Sequence, residues 1–233
     1  MNCPEEVIEK LMSILSFPDE FGMDPDESSI QDEDYYREVL NEYFPGTEIR
    51  YGVSKFVIIL PNTDYVIKIP FNGIYEHCGY GDNYEETFFV NFHYAQSKYR
   101  KNDYCRAELD KYNNAKQLGL EKFFAEIHYY DDDVNGFAYY YQEKVIPSGA
   151  YHGKTASQKS YDKAFSYPVE ETVCDVDWMA RAIECYGEEA VTAFLNYVNK
   201  IDPEIGEDLH SMNYGYRPNG EPVLLDYSGW SEY

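Results

Sequence analysis

The chain has 233 residues, 44% of them hydrophobic and 18% aromatic, with Tyr 26 and Phe 13; this is enough apolar surface for a real core and excludes general disorder. Lys+Arg 19 against Asp+Glu 43 gives a formal net charge of −24 at pH 7, a field that repels nucleic acid and anionic membrane and favours basic partners. Five cysteines (Cys3, Cys78, Cys105, Cys174 and Cys185) are odd in number and lack CxxC spacing, which argues against a disulfide framework and for reduced thiols in a cytoplasmic protein.

The N-terminal stretch CPEEVIEKLMSIL is acidic and amphipathic rather than a leader, with Val7, Leu11 and Ile14 on one helical face behind Pro4. No apolar run approaches the roughly 20 residues of a membrane span. A second helix is expected over 34–43, and residues 1–48 read as an acidic extension. From 48 onward the periodicity changes: EIRYGVSKFVIIL and DYVIKIP are strand-like runs joined by the turn PNTD. Residues 71–103 read as irregular, with a helix near EETFFVNFHYAQ. DYCRAELDKYNNAKQLGL reads as a helix stopped by Gly119. KFFAEIHYY and GFAYYYQEKVI follow as two more strands, and residues 147–172 read as loop. DVDWMARAIECYGEEAVTAFLNYVNK has apolar residues at helical spacing, and Gly187 makes it one kinked helix or two. The strand GYR, the turn PNG and the strand PVLLD close the order, and the fold class is α+β.

The chemistry concentrates in EDLHSMNYGYRPNGEPVLLDYSG. If YGY and VLLD pair across the Pro-Asn-Gly turn, Asn213 and Asp226 meet at one end of a hairpin. An amide oxygen and a carboxylate there suit a hard cation such as Mg2+, with phosphate oxygens and waters completing its shell. Asp208 then faces a metal-bound phosphate as a base or an orienting group.

These motifs resemble the protein-kinase-like superfamily. DLHSMN is similar to the catalytic loop D-L-x-x-x-N, LLDYSG to the strand ending in D-F-G, and VIKIP to the V-A-I-K strand. The resemblance implies a kinase-like N-lobe over 49–146, with a five-stranded antiparallel sheet and one main helix, and a minimal C-lobe over 147–233. It implies ATP and Mg2+ as cofactors, with Lys68 on the phosphates and either Glu108 or Glu86 as its partner. Asp208 becomes the catalytic base, Asn213 and Asp226 the metal ligands, and the backbone of Glu143 to Val145 the contact for adenine.

The sequence departs from the family in three places. Gly52 stands alone where the family has G-x-G-x-x-G, so Ser54 and Lys55 take over the phosphate contacts. Gly206-Glu207 stands where the family has His-Arg, and His210, two residues after Asp208, either helps a phosphate or packs. No activation segment follows Asp226, so an acceptor docks elsewhere, on the acidic extension or on 71–103 and 147–172. The function expected is Mg2+-ATP binding with transfer of the γ-phosphoryl group to a protein or small-molecule hydroxyl, by an atypical kinase rather than a pseudokinase. The alternative is a non-catalytic acidic protein: a pseudokinase scaffold, or a polyanion mimic that inhibits a nucleic-acid-binding protein. A basic protein partner or protein substrate is expected, with no direct binding to nucleic acid or membrane.

Overall fold

The structure is a computed structural model. It describes residues 33–51, 55–70, 72–78, 85–91, 104–132, 137–168 and 175–228, together with positions 4, 6, 7 and 10. The architecture is α+β, and the chain groups into two compact units. The first comprises Met1–Cys105 with His128–Gln142, the second Arg106–Ile127 with Glu143–Tyr233. Among the described residues no helix is long and apolar enough to cross a membrane.

In the first unit, helix α1 (Glu33–Tyr43) leads into β1 (Glu48–Tyr51). The Asn41 side chain fixes that junction, donating to Arg37 O and Thr47 O and accepting from Gly46 N at 2.8 Å. Then come β2 (Lys55–Ile59) and β3 (Tyr65–Pro70), antiparallel to their predecessors, with Ile49 opposite Ile58 and Ile58 opposite Ile67. β6 (Ile127–Asp132) and β7 (Phe137–Glu143) complete a five-stranded sheet in the order β1-β2-β3-β7-β6.

Side chains alternate across a strand, so the sheet has two unlike faces. Buried Ile49, Ile58 and Ile67 share one of them. Tyr65 meets Tyr141 edge-on at 5.7 Å and Tyr141 stacks on His128. The register places Lys55 and Lys68 together on the other face, where the Lys68 ammonium lies 5.7 Å from the Tyr140 ring centre. Both lysines are buried.

The expected helix near EETFFVNFHYAQ is not what forms. β4 (Asn72–Cys78) and β5 (Glu85–Asn91) pair antiparallel from Asn72 opposite Asn91 to Cys78 opposite Glu85. Thr87, Phe88, Phe89 and Val90 are strand formers, and a neighbouring strand supplies the pairing that a helix would have had to replace.

In the second unit, α2 (Tyr104–Gln117) ends in a Schellman motif, and all but its first two residues belong to this unit. Gly119 at φ +70° lets Leu120 N reach Ala115 O and its own N–H reach Lys116 O. A 3-10 turn (Glu121–Phe123) follows. Phe124 then bridges parallel to Leu224, and Ala125 N donates to Leu224 O at 2.7 Å.

The 147–172 region expected as loop contains α3 (Gln158–Ala164), capped by the Ser157 side chain. Gly187, at φ +86°, separates α4 (Val176–Tyr186) from α5 (Glu188–Asn196). A π turn (Tyr197–Ile201) then leads to α6 (Pro203–Asp208). β8 (Ile146–Pro147), β9 (Tyr214–Tyr216) and β10 (Pro222–Leu224) form a three-stranded sheet in the order β10-β9-β8.

The core of this unit is aromatic. Phe123 stacks on Phe194 at 4.6 Å, Trp178 lies against both Phe194 and Tyr214, and Tyr227 meets Phe124 edge-on. Polar ties reach inward as well: the Lys111 ammonium on α2 holds Asp202 at 2.7 Å and Glu204 at 2.9 Å. Lys111→Met leaves Asp202 part-buried without its cation. It is expected to lower stability by about 2 kcal/mol, read as a lower urea midpoint at constant m.

Candidate functional site

The candidate site is the end of the β9–β10 hairpin in the second unit. Pro203 occupies the first turn of α6, where its missing N–H costs nothing, and the helix ends at Asp208. Gly206 has a reason to be glycine: a Cβ there would lie 2.5 Å from Val198 O in the preceding turn. α6 therefore approaches that turn too closely for a side chain at this position.

After buried Leu209, a 3-10 turn (Ser211–Asn213) is capped by His210, whose Nδ1 accepts from Met212 N. The His210 side chain is thus engaged with the backbone of its own loop, and the residue is exposed. Asn213 is buried, and its Nδ2 donates to Asp208 O at 2.8 Å, which ties the two ends of DLHSMN together. Leu225 N then donates to Asn213 O at 2.9 Å, one step beyond the Leu224–Tyr214 pair. The hairpin forms as expected and sets Asn213 beside the residue that precedes Asp226.

The hairpin is braced from behind. Trp178 Nε1 donates to Val223 O at 3.1 Å, the Tyr186 hydroxyl to Pro222 O at 3.0 Å, and Arg181 Nη2 to Gly220 O at 3.0 Å. Gly220 takes φ +84° in the turn. Beyond Asp226, which is half-buried, Ser228 Oγ donates to its Oδ1 at 3.4 Å. Tyr227 N donates to Glu108 Oε1 at 3.4 Å, and the Tyr227 hydroxyl donates to Ala125 O at 2.7 Å. Glu108, fully buried on α2, thereby holds the residue next to Asp226.

Asn213 and Asp226 carry oxygen donors of the kind a hard cation takes. With its Nδ2 engaged, Asn213 has an Oδ1 to which nothing donates among the described residues. The Asp226 carboxylate follows at the same end of the hairpin. One neutral and one anionic oxygen suit Mg2+, which takes the rest of its shell from water and phosphate. Among the described residues no group of three or more His, Cys, Asp or Glu is placed to hold a metal.

The other expected site residues fall as follows. Lys55 and Lys68 lie in the first unit on one sheet face. Glu86 lies on β5 opposite His77, on a strand and not on the helix expected there. Gly52 and Ser54 lie outside the described residues. Glu143 and Val145 follow β7, and Glu143 N already donates to Glu126 O at 2.9 Å. That N–H is committed to the backbone and is not open to a base.

Two residues escaped the sequence reading. Arg217, taken only as the end of a strand, grips the Glu143 carboxylate with Nε and Nη2. Gln142, taken as part of an aromatic strand, is buried on the lysine face. The signal for the first was an Arg beside a tight turn, and for the second an amide at the end of FAYYYQ.

The tyrosines around this core resist ionisation. Burial pushes Tyr112 up to about 12, helped by the Glu126 and Glu143 carboxylates. Burial also raises Tyr186, Tyr197 and Tyr216. Each folded value lies above the unfolded one of about 10. Their contribution to stability is therefore complete below about pH 10 and is lost as pH rises through the folded values, at about 1.4 kcal/mol per pH unit for each tyrosine. The last tyrosines to ionise, among the 26 of the chain, are expected to do so together with loss of helical circular dichroism above pH 10. Ionisation of every tyrosine with the helical signal intact refutes this.

No protein-family model matches the chain and no curated protein matches it.

Proposed function

We propose that the chain is a kinase-like protein that binds Mg2+-ATP and transfers its γ-phosphoryl group to a protein or small-molecule hydroxyl. The observation that carries this reading is the hydrogen-bonded run Asp208–Asn213–Leu225, which ties the backbone of Asp208, at the end of α6, to Asn213 beside the strand that leads to Asp226. The order of elements adds support once the inserted β4–β5 hairpin is set aside: a hairpin, a third strand with a buried Lys68, then after that insertion a helix with a buried Glu108 and two more strands of the first sheet.

In this reading Lys68 and Lys55 meet phosphate oxygens, while Asn213 and Asp226 hold the metal. Asp208 orients the acceptor hydroxyl and receives its proton. Glu108 fixes the Tyr227 amide and so the position of Asp226. The bound Mg2+ supplies charge neutralisation on the phosphates. Little covalent work falls to the protein, whose task is positioning.

The charge of −24 favours a basic protein as acceptor or partner. The test is thermal unfolding with ATP, with and without Mg2+. Stabilisation that requires both supports the reading, because a ligand bound only to the folded state must raise its stability. No shift at millimolar ATP overturns it.

A further inference from the structure

Gln142 ends the first unit's share of β7, one residue before the backbone assigned to the base. It is 1% exposed, and its Nε2 has no hydrogen-bond partner among the described residues. A buried amide donor left unused is rare in folded proteins, because its lost hydration is not repaid. Such an atom asks for an explanation, and a ligand is one.

The strand gives the direction. Residues two apart share a face, so Gln142 lies with Tyr140, whose ring has the Lys68 ammonium 5.7 Å from its centre. That is also the face of Lys55. Two buried lysines and a carboxamide with an unsatisfied Nε2 therefore occupy one side of the sheet, with the apolar Ile49–Ile58–Ile67 row on the other. The lysines suit phosphate oxygens, and the carboxamide suits something neutral with complementary hydrogen-bonding groups.

We infer that Gln142 reads the nucleobase and makes the protein selective for adenine: Nε2 donates to N7 while Oε1 accepts from the N6 amino group. A carboxamide carries one donor and one acceptor side by side, the complement of that adenine edge. Guanine presents two acceptors there, O6 and N7, and would set its O6 against Oε1. The inference rests on the Mg2+-ATP reading and goes further by naming the base and the group that recognises it.

The test compares binding of ATP, GTP and 7-deaza-ATP by wild type and Gln142→Met, by titration calorimetry with Mg2+, alongside the Tm of each protein without nucleotide. Wild type is expected to prefer ATP to both analogues by about ten-fold or more, the usual worth of a bidentate base contact. Gln142→Met is expected to bind all three within about two-fold of one another. Its ligand-free Tm should be equal to or above that of wild type, because an apolar side chain of similar length replaces an unsatisfied amide.

Unchanged ATP preference in Gln142→Met overturns the inference and leaves the Mg2+-ATP reading standing. A lower ligand-free Tm with unchanged preference makes Gln142 a packing residue and also overturns it. Wild-type protein that binds none of the three nucleotides overturns both.

Discussion

Asp226→Asn is expected to abolish the Mg2+-dependent part of the stabilisation by ATP while keeping the side chain's shape. At a ligand concentration about 100 times Kd the wild-type protein gains about 2.7 kcal/mol. For a chain of this length that raises Tm by about 5–10 °C. The substitution removes the one anionic oxygen donor in the pair and leaves two neutral amides, a poor set for Mg2+. ATP with and without Mg2+ should then give the same small shift.

Asn213→Ala makes a useful contrast. It removes the other oxygen donor but also the Nδ2 bond to Asp208 O, so it should cost about 1 kcal/mol without ligand as well. If Asp226→Asn keeps a full Mg2+-dependent shift, Asp226 is not a metal ligand.

Arg217→Met is expected to be the most destabilising single change outside the aromatic core, at about 3 kcal/mol. The Arg217 guanidinium contacts Glu143 Oε1 through Nη2 at 2.6 Å and both carboxylate oxygens through Nε at 3.0 Å. Its Nη1 also donates to Lys122 O and its Nη2 to Phe124 O, each at 3.1 Å. One side chain thus serves a carboxylate and two carbonyls. Without it Glu143 keeps the donor Glu126 N at 2.9 Å but loses its cation. The side chains are 18% and 26% exposed, which keeps the cost below that of a fully buried pair.

Arg217→Lys should rescue little, since a single ammonium cannot span a forked carboxylate and two carbonyls. Urea unfolding without nucleotide measures all of this. A loss under about 0.5 kcal/mol would reduce the clamp to a solvated pair. Because Glu143 begins the segment assigned to the base, loosening the clamp should also weaken nucleotide binding.

What could be read from the residues was governed by local chemistry. The strands around VIIL and VIKIP are short runs of β-branched and apolar residues joined by the turn PNTD, and they form as β2 and β3. Gly119 stops α2 and Gly187 divides α4 from α5, since each takes a positive φ that other residues adopt at a cost. The C-terminal hairpin was announced by Pro-Asn-Gly between two apolar runs.

The misreadings have physical causes too. Glu85 and Glu86 look like the start of a helix, but the pairing of β5 with β4 outweighs that local preference. α3 is only 7 residues long and depends on the cap from Ser157, so no amphipathic pattern reveals it. Arg217 and Glu143 are 74 residues apart, and such a pairing leaves no periodic trace in either segment. At the candidate site, residue types indicated Asp208, Asn213 and Asp226. The bond from Tyr227 N to Glu108 is a tertiary fact that no spacing encodes.

The division of the chain also bears on how it is made. The backbone passes from one unit to the other at 105–106, returns at 127–128 and leaves again at 142–143. Neither unit is a continuous stretch of sequence, so no single cut yields a fragment that holds all of one and none of the other. During synthesis the first unit lacks β6 and β7 until residue 143 has been added, and the second lacks its C-terminal hairpin until residue 224. The contacts that finish each unit span long stretches of chain, an arrangement that slows folding and delays protection of the sheet edge at β3. The two units are therefore bound to a shared folding schedule.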